Sequence, residues 1–333
     1  MNLVEVRRNG LVESVHKGSI AVTDIEGKLV ASFGDPEDVT FMRSAAKPLQ
    51  AIPVVEIGAA ERFHLTDEEI AVMCGSHSGQ PFHVEAVKSA LSKIGLDERD
   101  LRCGARYPLH RSSANELILK KEEPGPVHNP CSGKHTGMLA ISIFMGYPTK
   151  DYYEADHPAQ QLILESISDM AEVGKDQIRI GIDGCGVPVH GIPLKNMALA
   201  FAKLASPRDL RREKKRAAER VVCAMQSHPE MVAGSGRLCT VLMHATKKII
   251  TKIGAEGVYC VGVPEKNIGI AVKIEDGGDR AIGPVVIEVL DQLGILSEDE
   301  LRSLQRYHYH PVKTHQKVII GVISPALKLN FVL

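Results

Sequence analysis

Segments with the pattern of β-strands stand at both ends of the chain, and a long stretch with the pattern of helices separates them. Near the N-terminus, 19–23 and 29–33 are rich in apolar and β-branched residues and flank a turn-rich link, which predicts a hairpin. Near the C-terminus, successive strands are predicted over 249–274, with a last one at about 317–323. The pattern therefore favours one sheet made from both ends of the chain, with the middle outside it.

Helical patterns dominate the middle of the chain, from about residue 44 to residue 235. Thr66 and Glu69 have the spacing of a capping box, which marks the start of a helix. Apolar residues recur at helical spacing over 156–173 and 194–205, and this periodicity predicts two further helices.

Together these patterns predict an α+β protein with two regions, or one domain with a long insertion. Residues 1–45 and 236–333 are expected to contain a mainly antiparallel sheet flanked by helices. Residues 46–235 are expected to form a mainly helical region that carries the loops of Cys131 and Cys185. The chain has 333 residues, 44% of them apolar, which is enough to bury a large core.

Composition excludes several classes of partner. The net charge of −1 gives no general attraction to nucleic acid or to an anionic membrane, so a small-molecule substrate is expected. The sequence has no apolar run of about 20 residues and no signal-peptide core at its start, which predicts a cytoplasmic protein. Seven cysteines at irregular spacing argue against a disulfide framework and favour free thiols or metal ligands.

Ser44-Ala45-Ala46-Lys47 lies just before Pro48 and a predicted helix, and its spacing suits an acyl-transfer nucleophile with its base. On a helix, residues three apart lie on one face about 5–6 Å apart, so the lysine amine can reach the serine oxygen. The lysine must be neutral to take the proton, which requires burial or a nearby cation to lower its pKa. The spacing alone is a weak signal, because Ser14-Val15-His16-Lys17 has it too.

Two later segments strengthen the interpretation of Ser44. Ser76-His77-Ser78 follows it, and Lys252-Ile253-Gly254 comes much later in the chain. Serine β-lactamases and penicillin-binding proteins use Ser-x-x-Lys, a Ser-x-Asn segment and a Lys-Thr-Gly strand in this order. Here the second segment lacks the asparagine and the third lacks the threonine. The order therefore predicts the type of site but not its substrate.

Two glycine-rich loops present further polar groups. One carries Cys131, Lys134 and His135, and the other carries Asp183 and Cys185. One interpretation is that the two cysteines meet, with Lys134 or His135, at a zinc site or beside the substrate. The other is that both cysteines pack beneath loops, as free cysteines commonly do. Ligand chemistry by itself favours His135 over Lys134, because a lysine must lose its proton to bind a metal ion.

Five motifs occur in order along the chain. They are Arg43-Ser44-Ala45-Ala46-Lys47-Pro48-Leu49-Gln50, Cys74-Gly75-Ser76-His77-Ser78-Gly79, Asn129-Pro130-Cys131-Ser132-Gly133-Lys134-His135, Asp183-Gly184-Cys185-Gly186-Val187-Pro188 and Lys252-Ile253-Gly254-Ala255-Glu256-Gly257. Together they resemble the L-asparaginases of the Rhizobium-etli type, a bacterial asparaginase II family, over essentially the whole chain. The resemblance implies a fold similar to that of serine β-lactamases and glutaminases.

The resemblance implies an L-asparaginase (EC 3.5.1.1), which hydrolyses the side-chain amide of L-asparagine to L-aspartate and ammonia. It implies two Ser-Lys pairs, Ser44 with Lys47 and Ser76 with Lys252, that act through an acyl-enzyme. Lys47 is expected to take the proton of Ser44, which is the preferred nucleophile. Ser76 and Lys252 are expected to keep Lys47 deprotonated and to relay a proton to the departing ammonia.

The resemblance also implies a zinc ion bound by Cys131, Lys134 and Cys185 next to the substrate, which makes Lys134 the expected ligand in place of His135. His135 and Asp183 then become expected contacts for the charged groups of the substrate. A homodimer is expected from the family alone.

Two alternatives stay open at the level of the sequence. One is another Ser-Lys amidase, such as a glutaminase or a β-lactamase-like enzyme, because the shape of the pocket sets the choice of amide. The other is a metal-dependent, non-catalytic amino-acid-binding protein. All four Ser-Lys residues are present, although a binding protein has no need of them, and this favours an enzyme.

Overall fold

The structure, a computed structural model, describes residues 2–332, which form two compact units. Unit 1 comprises Met1–Ala45, Ile192–Ser206 and Leu242–Leu333. Unit 2 comprises Ala46–Gly191 and Pro207–Val241. Compared with the division predicted from the sequence, 192–206 lies in the unit that contains the sheet and 236–241 lies in the other unit.

Within the described residues, groups of strands alternate with groups of helices along the chain. In chain order they are β1 (Asn2–Arg8), β2 (Leu11–Asp24), β3 (Leu29–Phe33), β4 (Val39–Phe41), β5 (Arg179–Ile182), β6 (Pro188–Pro193), β7 (Ile250–Gly254), β8 (Val258–Val263), β9 (Ile268–Ile274), β10 (His310–Lys313), β11 (Ile319–Pro325) and β12 (Asn330–Phe331).

The α-helices lie mainly between β4 and β7. In chain order they are α1 (Lys47–Glu56), α2 (Ala59–Arg62), α3 (Asp67–Met73), α4 (Pro81–Lys93), α5 (Arg111–Lys120), α6 (Ser132–Met145), α7 (Pro158–Ala171), α8 (Leu194–Ala205), α9 (Arg212–Ser227), α10 (Pro229–Val232), α11 (Leu238–Ala245), α12 (Ile282–Gln292), α13 (Glu298–Ser303) and α14 (Gln305–His308). Among residues 2–332, no helix is long and apolar enough to cross a bilayer.

Unit 1 is built on a nine-stranded sheet. Its main order is β10-β11-β1-β2-β9-β8-β7, with β3 beside β2 and β12 beside β3, and the paired strands are antiparallel. β1 lies between β2 and β11, with Val4 opposite Pro325, so both ends of the described chain enter the same sheet. The predicted fold class is therefore confirmed: an α+β protein with an antiparallel sheet made from N- and C-terminal segments.

Helices cover this sheet in unit 1. α8 packs on β2, β8 and β9, and α12 packs on β1, β8, β9 and β11. β8 is buried along its whole length and β9 at all but one residue, which explains their nearly continuous apolar sequences. An ideal Cβ at Gly269 would lie 1.9 Å from the Ala198 carbonyl oxygen, so only glycine lets β9 approach α8 this closely.

Unit 2 is mainly helical and has α6 at its centre. α1 and α3 pack against α6, α7 packs against α1 and α6, and α9 packs against α1 and α3. Residues 132–142 of α6 are all buried, and an ideal Cβ at Gly133 would lie 2.3 Å from the Val72 carbonyl oxygen. The predicted capping box of Thr66 and Glu69 starts α3. The helix that follows Cys131 is therefore held rigidly in the core of this unit.

Candidate active site

Ser44 lies on a short 3-10 helix, Arg43–Ala46, which leads directly into α1 at Lys47. The predicted helical setting of this Ser-x-x-Lys pattern is therefore confirmed. The competing pattern is different, because Ser14 and Lys17 lie on β2. Residues three apart on a strand point to opposite faces, so these two side chains cannot form a pair of the predicted kind.

The backbone around Ser44 is held in an unusual conformation within unit 1. Arg43 has a left-handed φ of 49°, which a residue with a side chain adopts only where its surroundings enforce it. The end of β7 lies directly against this segment. An ideal Cβ at Gly254 would lie 2.6 Å from the Met42 carbonyl oxygen and 3.3 Å from the Ala45 nitrogen. The absence of a side chain at Gly254 thus lets β7 pass beside the backbone that carries Ser44.

Lys252 lies on β7, two residues before that glycine, and its side chain is completely buried. Its Nζ donates a 2.7 Å hydrogen bond to the carbonyl oxygen of Ile253. The strand predicted for the Lys252 segment is confirmed, and it places this lysine in the same unit as Ser44.

Lys47, the first residue of α1, is also completely buried. Its Nζ donates hydrogen bonds to the carbonyl oxygens of Gly75 at 2.8 Å and Pro130 at 3.0 Å, and to Ser76 Oγ at 3.0 Å. Burial is the main cause that lowers the pKa of Lys47, because surroundings of low polarity disfavour the charged form. Lys47 therefore meets the requirement that its proposed role as a base imposes.

The loop that presents Ser76 to Lys47 follows α3 and is fixed within unit 2. The backbone N–H of Ser76 donates a 2.8 Å hydrogen bond to the carbonyl oxygen of Val232. An ideal Cβ at Gly75 would lie 2.5 Å from the Met231 carbonyl oxygen, so glycine is required for this approach. The position of Ser76 Oγ is thus set by backbone contacts and not by its own rotamer alone.

The observed contact crosses the two pairs that the sequence suggested. The sequence pairs Lys47 with Ser44 and Ser76 with Lys252, whereas the structure shows a hydrogen bond from Lys47 to Ser76 within unit 2. The pairing of Ser44 with Lys47 and that of Ser76 with Lys252 stay predictions.

Asn129 holds the loop that carries Cys131. Its Nδ2 donates to the carbonyl oxygens of Cys103 at 2.8 Å and Gly104 at 3.1 Å, and its Oδ1 accepts from the Cys131 N–H at 2.9 Å. No role was predicted for this residue, although an Asn-Pro pair is a signal for a turn. Asn129 therefore supports the loop of Cys131, and it is part of a motif in which only the cysteine, the lysine and the histidine were predicted to have roles.

Cys185 lies in the turn between the antiparallel strands β5 and β6. The turn is closed by hydrogen bonds from the Asp183 N–H to the Val187 carbonyl at 2.8 Å and from the Gly186 N–H to the Asp183 carbonyl at 2.9 Å. Gly186 has a φ of 89°, a conformation that favours glycine. The side chain of Cys185 is buried, so the turn points this thiol into unit 2.

Cys131, Lys134 and Cys185 meet within unit 2. Lys134 Nζ lies 3.1 Å from Cys185 Sγ and 3.7 Å from Asp183 Oδ2, and Cys185 donates a hydrogen bond to Cys131. That hydrogen bond, with the charges of Lys47 and Lys134, holds the pKa of Cys131 well below its usual value and favours the thiolate. Burial opposes the charge of Lys134, but Cys131, Cys185 and Asp183 outweigh burial and raise the pKa of Lys134.

The three residues fit a zinc ion by their chemistry. Two thiols and one amine are sulfur and nitrogen donors of the kind that zinc prefers, and three protein ligands leave a position open for water or substrate. Across residues 2–332, no group of three or more His, Cys, Asp and Glu side chains could hold a metal ion. The expected set contributes only Cys131 and Cys185 to such a group, because its third member is Lys134. Zinc binding therefore stays a prediction.

His135 and Asp183, the expected substrate contacts, both lie in unit 2. His135 is completely buried, with Nδ1 2.7 Å from the Tyr152 hydroxyl, and its Nε2 has no hydrogen-bond partner among the described residues. Asp183 accepts a 2.8 Å hydrogen bond from the Gly184 N–H. No motif or periodicity points to Tyr152, which lies in an irregular segment between α6 and α7.

The family comparison covers nearly the whole chain. A family model described as L-asparaginase II matches residues 4–325. No curated protein sequence matches the chain.

Three solved structures illustrate the similarity, all of them at low identity. The structure of Mglu in its native form is 15% identical, with a TM-score of 0.49, over 90% of this chain and 70% of that one. A β-lactamase from Mycobacterium bovis is 14% identical, with a TM-score of 0.42, over 83% and 94% of the two chains. A Bacillus glutaminase is 13% identical, with a TM-score of 0.38, over 84% and 91%.

Proposed function

Because the chain belongs to the L-asparaginase II family, we propose that it hydrolyses the side-chain amide of L-asparagine to L-aspartate and ammonia. Membership makes it an amidohydrolase with a small-molecule substrate, and asparagine is the proposed choice. The observation that carries the proposal is the buried amine of Lys47, which has a lowered pKa and lies 3.0 Å from a serine hydroxyl. Such an amine can take a proton from a hydroxyl, which an ordinary exposed lysine does poorly at neutral pH.

Ser44 is the proposed nucleophile. Its oxygen attacks the carbon of the side-chain carboxamide while neutral Lys47 takes the hydroxyl proton. The amide nitrogen then receives this proton, the carbon–nitrogen bond breaks, ammonia leaves, and an ester between Ser44 and the aspartyl group remains. Water hydrolyses this ester and restores the serine. Backbone N–H groups stabilise the oxyanion of each step, each donor contributing about 3–4 kcal/mol.

Ser76 and Lys252 complete the proposed proton path. The hydrogen bond between Lys47 Nζ and Ser76 Oγ supports a relay in which Ser76 carries the proton from Lys47 towards the departing ammonia. Lys252 is a second buried amine, and its positive charge would favour the neutral form of Lys47.

We also propose that Cys131, Lys134 and Cys185 hold a zinc ion. When bound, zinc supplies a fixed positive charge that orients the substrate, which is consistent with a role in binding more than in activating water. His135 and Asp183 would hold the charged groups of the amino acid. The distance of 3.1 Å between Lys134 Nζ and Cys185 Sγ supports this set, since two of its members are already in contact.

An amide panel tests the proposed substrate. Ammonia release is measured with L-asparagine, L-glutamine, a peptide amide and, by ring opening, a β-lactam. We expect L-asparagine to be turned over with the highest kcat/KM, although one extra methylene in glutamine costs only about 10–200-fold. A higher kcat/KM with L-glutamine or the β-lactam would contradict the proposal.

Ser44→Ala tests the nucleophile. We expect it to abolish turnover of L-asparagine while the folded structure, followed by circular dichroism, is unchanged. Ser14→Ala is the matched control, because it removes a serine from the same Ser-x-x-Lys spacing on a strand, and it should keep full activity. Ammonia release by Ser44→Ala at the wild-type rate would refute the assignment.

Elemental analysis tests the zinc proposal. The double variant Cys131→Ser/Cys185→Ser should lose bound zinc and bind L-asparagine more weakly. Cys223→Ser, which changes an exposed cysteine, should keep its metal. Equal zinc content in the double variant and the wild type would rule out this ligand set.

A homodimer is a further proposal that rests on the family resemblance, and light scattering at several concentrations tests it. A mass of one chain at all concentrations would contradict it. The cytoplasmic location stays a prediction from the sequence.

A further inference from the structure

A buried tyrosine connects His135 to the backbone of a neighbouring loop. Tyr152 and His135 are both completely buried in unit 2. The Tyr152 hydroxyl oxygen lies 2.7 Å from His135 Nδ1 and accepts a 2.9 Å hydrogen bond from the backbone N–H of Arg102. The other ring nitrogen of His135, Nε2, is buried and has no partner among residues 2–332.

These contacts determine which ring nitrogen of His135 carries the proton. The Arg102 N–H can only donate, so it uses one lone pair of the tyrosine oxygen. The hydroxyl has one proton of its own, and within the described residues His135 Nδ1 is the acceptor in reach. If Nδ1 carried a proton instead, the oxygen would face two donors and its own buried proton would be left without an acceptor, at a considerable cost.

The same contacts exclude a charged ring, because a charged imidazole carries a proton on Nδ1 and would leave the buried tyrosine proton without an acceptor. A neutral imidazole that accepts at Nδ1 carries its single proton at Nε2. His135 therefore presents a fixed N–H donor, and this donor is left unpaired in a buried place.

We propose that Tyr152 is a positioning residue, which holds His135 in the Nε2–H tautomer so that His135 donates a hydrogen bond to a carboxylate oxygen of the amino-acid substrate. The inference rests on the proposed function, since it takes the substrate from there. A donor of this kind selects an acceptor and excludes the substrate's ammonium group, which has only donors. Of the two expected substrate contacts, His135 and Asp183, it is then Asp183 that suits the ammonium group.

Nitrogen NMR tests the tautomer without any substrate. Protein labelled with 15N-histidine is compared with the His135→Gln variant, whose spectrum lacks the signals of His135. We expect a pyrrole-type Nε2 and a pyridine-type Nδ1 for His135 at neutral pH. A pyrrole-type Nδ1 would overturn the proposal. This result does not depend on which amide the enzyme hydrolyses, so it separates failure of the inference from failure of the proposed function.

Kinetics test the consequence for binding. Tyr152→Phe removes the hydroxyl and frees the tautomer, so we expect KM for L-asparagine to rise on the order of tenfold with kcat changed less than about twofold. Tyr153→Phe is the matched control, because it removes the hydroxyl of the adjacent tyrosine and should leave KM unchanged. Equal KM values for Tyr152→Phe and Tyr153→Phe would overturn the proposal.

A double variant tests whether Tyr152 positions His135 or only supports the fold. In His135→Gln, the glutamine amide offers an N–H donor near the position of Nε2 that needs no tautomer to be fixed. Adding Tyr152→Phe to this variant should therefore raise KM no further. A further tenfold rise in the double variant would mean that the hydroxyl acts by another route and would overturn the proposal.

Discussion

Lys47 and Lys134 are both fully buried in unit 2, and their surroundings give them opposite chemistry. Lys47 donates to the carbonyls of Gly75 and Pro130 and to the hydroxyl of Ser76, and the negative charge of the nearby cysteines opposes the effect of its burial without outweighing it. Lys134 lies beside Cys185 and Asp183, and these two side chains together with Cys131 raise its pKa. Burial lowers the pKa of the first, whereas negative charges raise the pKa of the second.

The difference shows that burial alone does not make a lysine a base. An ammonium group loses its hydration in both places, and the negative charges around Lys134 outweigh this loss whereas those near Lys47 do not. Lys47 can therefore give up its proton readily and suits general base catalysis. Lys134 holds its proton until something takes over its role as counter-charge, which a zinc ion bound by the same thiols would do.

Replacement of Lys47 should have the largest effect. Lys47→Met keeps the volume of the buried chain and removes the amine, so we expect kcat/KM for L-asparagine to fall about a thousandfold. Lys214→Met is the control, because Lys214 is a buried lysine of the same unit that pairs with Asp169. This variant should lose stability but keep its kcat/KM. A similar loss of activity in both variants would mean that the effect of Lys47→Met comes from the loss of a buried lysine in general and not from the loss of a base.

Replacement of Cys131 should show how much the environment of Lys134 depends on a negative charge. In metal-free protein, Cys131→Ser removes the thiolate and leaves the Lys134 ammonium less compensated. Loss of one partner of a buried ion pair costs about 3 kcal/mol, so urea denaturation should show this decrease in the free energy of unfolding. Cys185→Ser removes a neutral thiol and should cost clearly less. Equal losses would mean that Cys131 is not the anion.

Replacement of Lys134 should act on binding more than on chemistry. Lys134→Met removes a proposed zinc ligand, so we expect lost zinc and a KM for L-asparagine raised about 10–50-fold. The value of kcat should fall much less than in Lys47→Met. Parallel measurements of zinc content and steady-state kinetics check this. A loss of kcat as large as that of Lys47→Met would show that both lysines serve the same step.

The pH dependence should show the smallest but most direct difference. Lys47 acts as a base only when neutral, so kcat/KM should rise with pH through its pKa, and burial places this rise below the usual lysine value of 10.5. A rising limb at or above that value would show that the pKa of Lys47 is not lowered or that Lys47 is not the base. Lys47→Arg is the control, because a guanidinium stays protonated and should give no rising limb.

Local patterns predicted the architecture well. The hairpin at the N-terminus, the strands after residue 249 and the capping box of Thr66 each depend on a few adjacent residues, and each is present in the structure. The assignment of 192–206 to the helical region had no such basis. α8 has an apolar face, but an apolar face does not reveal whether a sheet or another helix covers it.

The site was predictable in its members but not in their contacts. Helical spacing suggested Ser44 as the partner of Lys47, whereas the contact with Ser76 depends on a loop that returns 29 residues later. Ligand chemistry favoured His135 as a metal ligand, while in the structure its Nδ1 is taken by Tyr152. That tyrosine belongs to a segment without periodicity, so nothing in the sequence marked it.

The sheet of unit 1 has a consequence for the order in which a growing chain becomes an enzyme. β1 pairs with β11, and the backbone around Ser44 rests against Gly254, more than 200 residues later. On the ribosome, the uninterrupted segment from 46 to 191 emerges and can begin to pack while β7 is still unmade. We therefore expect nascent chains that end before β7 to be inactive, with the nucleophile set only as synthesis nears completion.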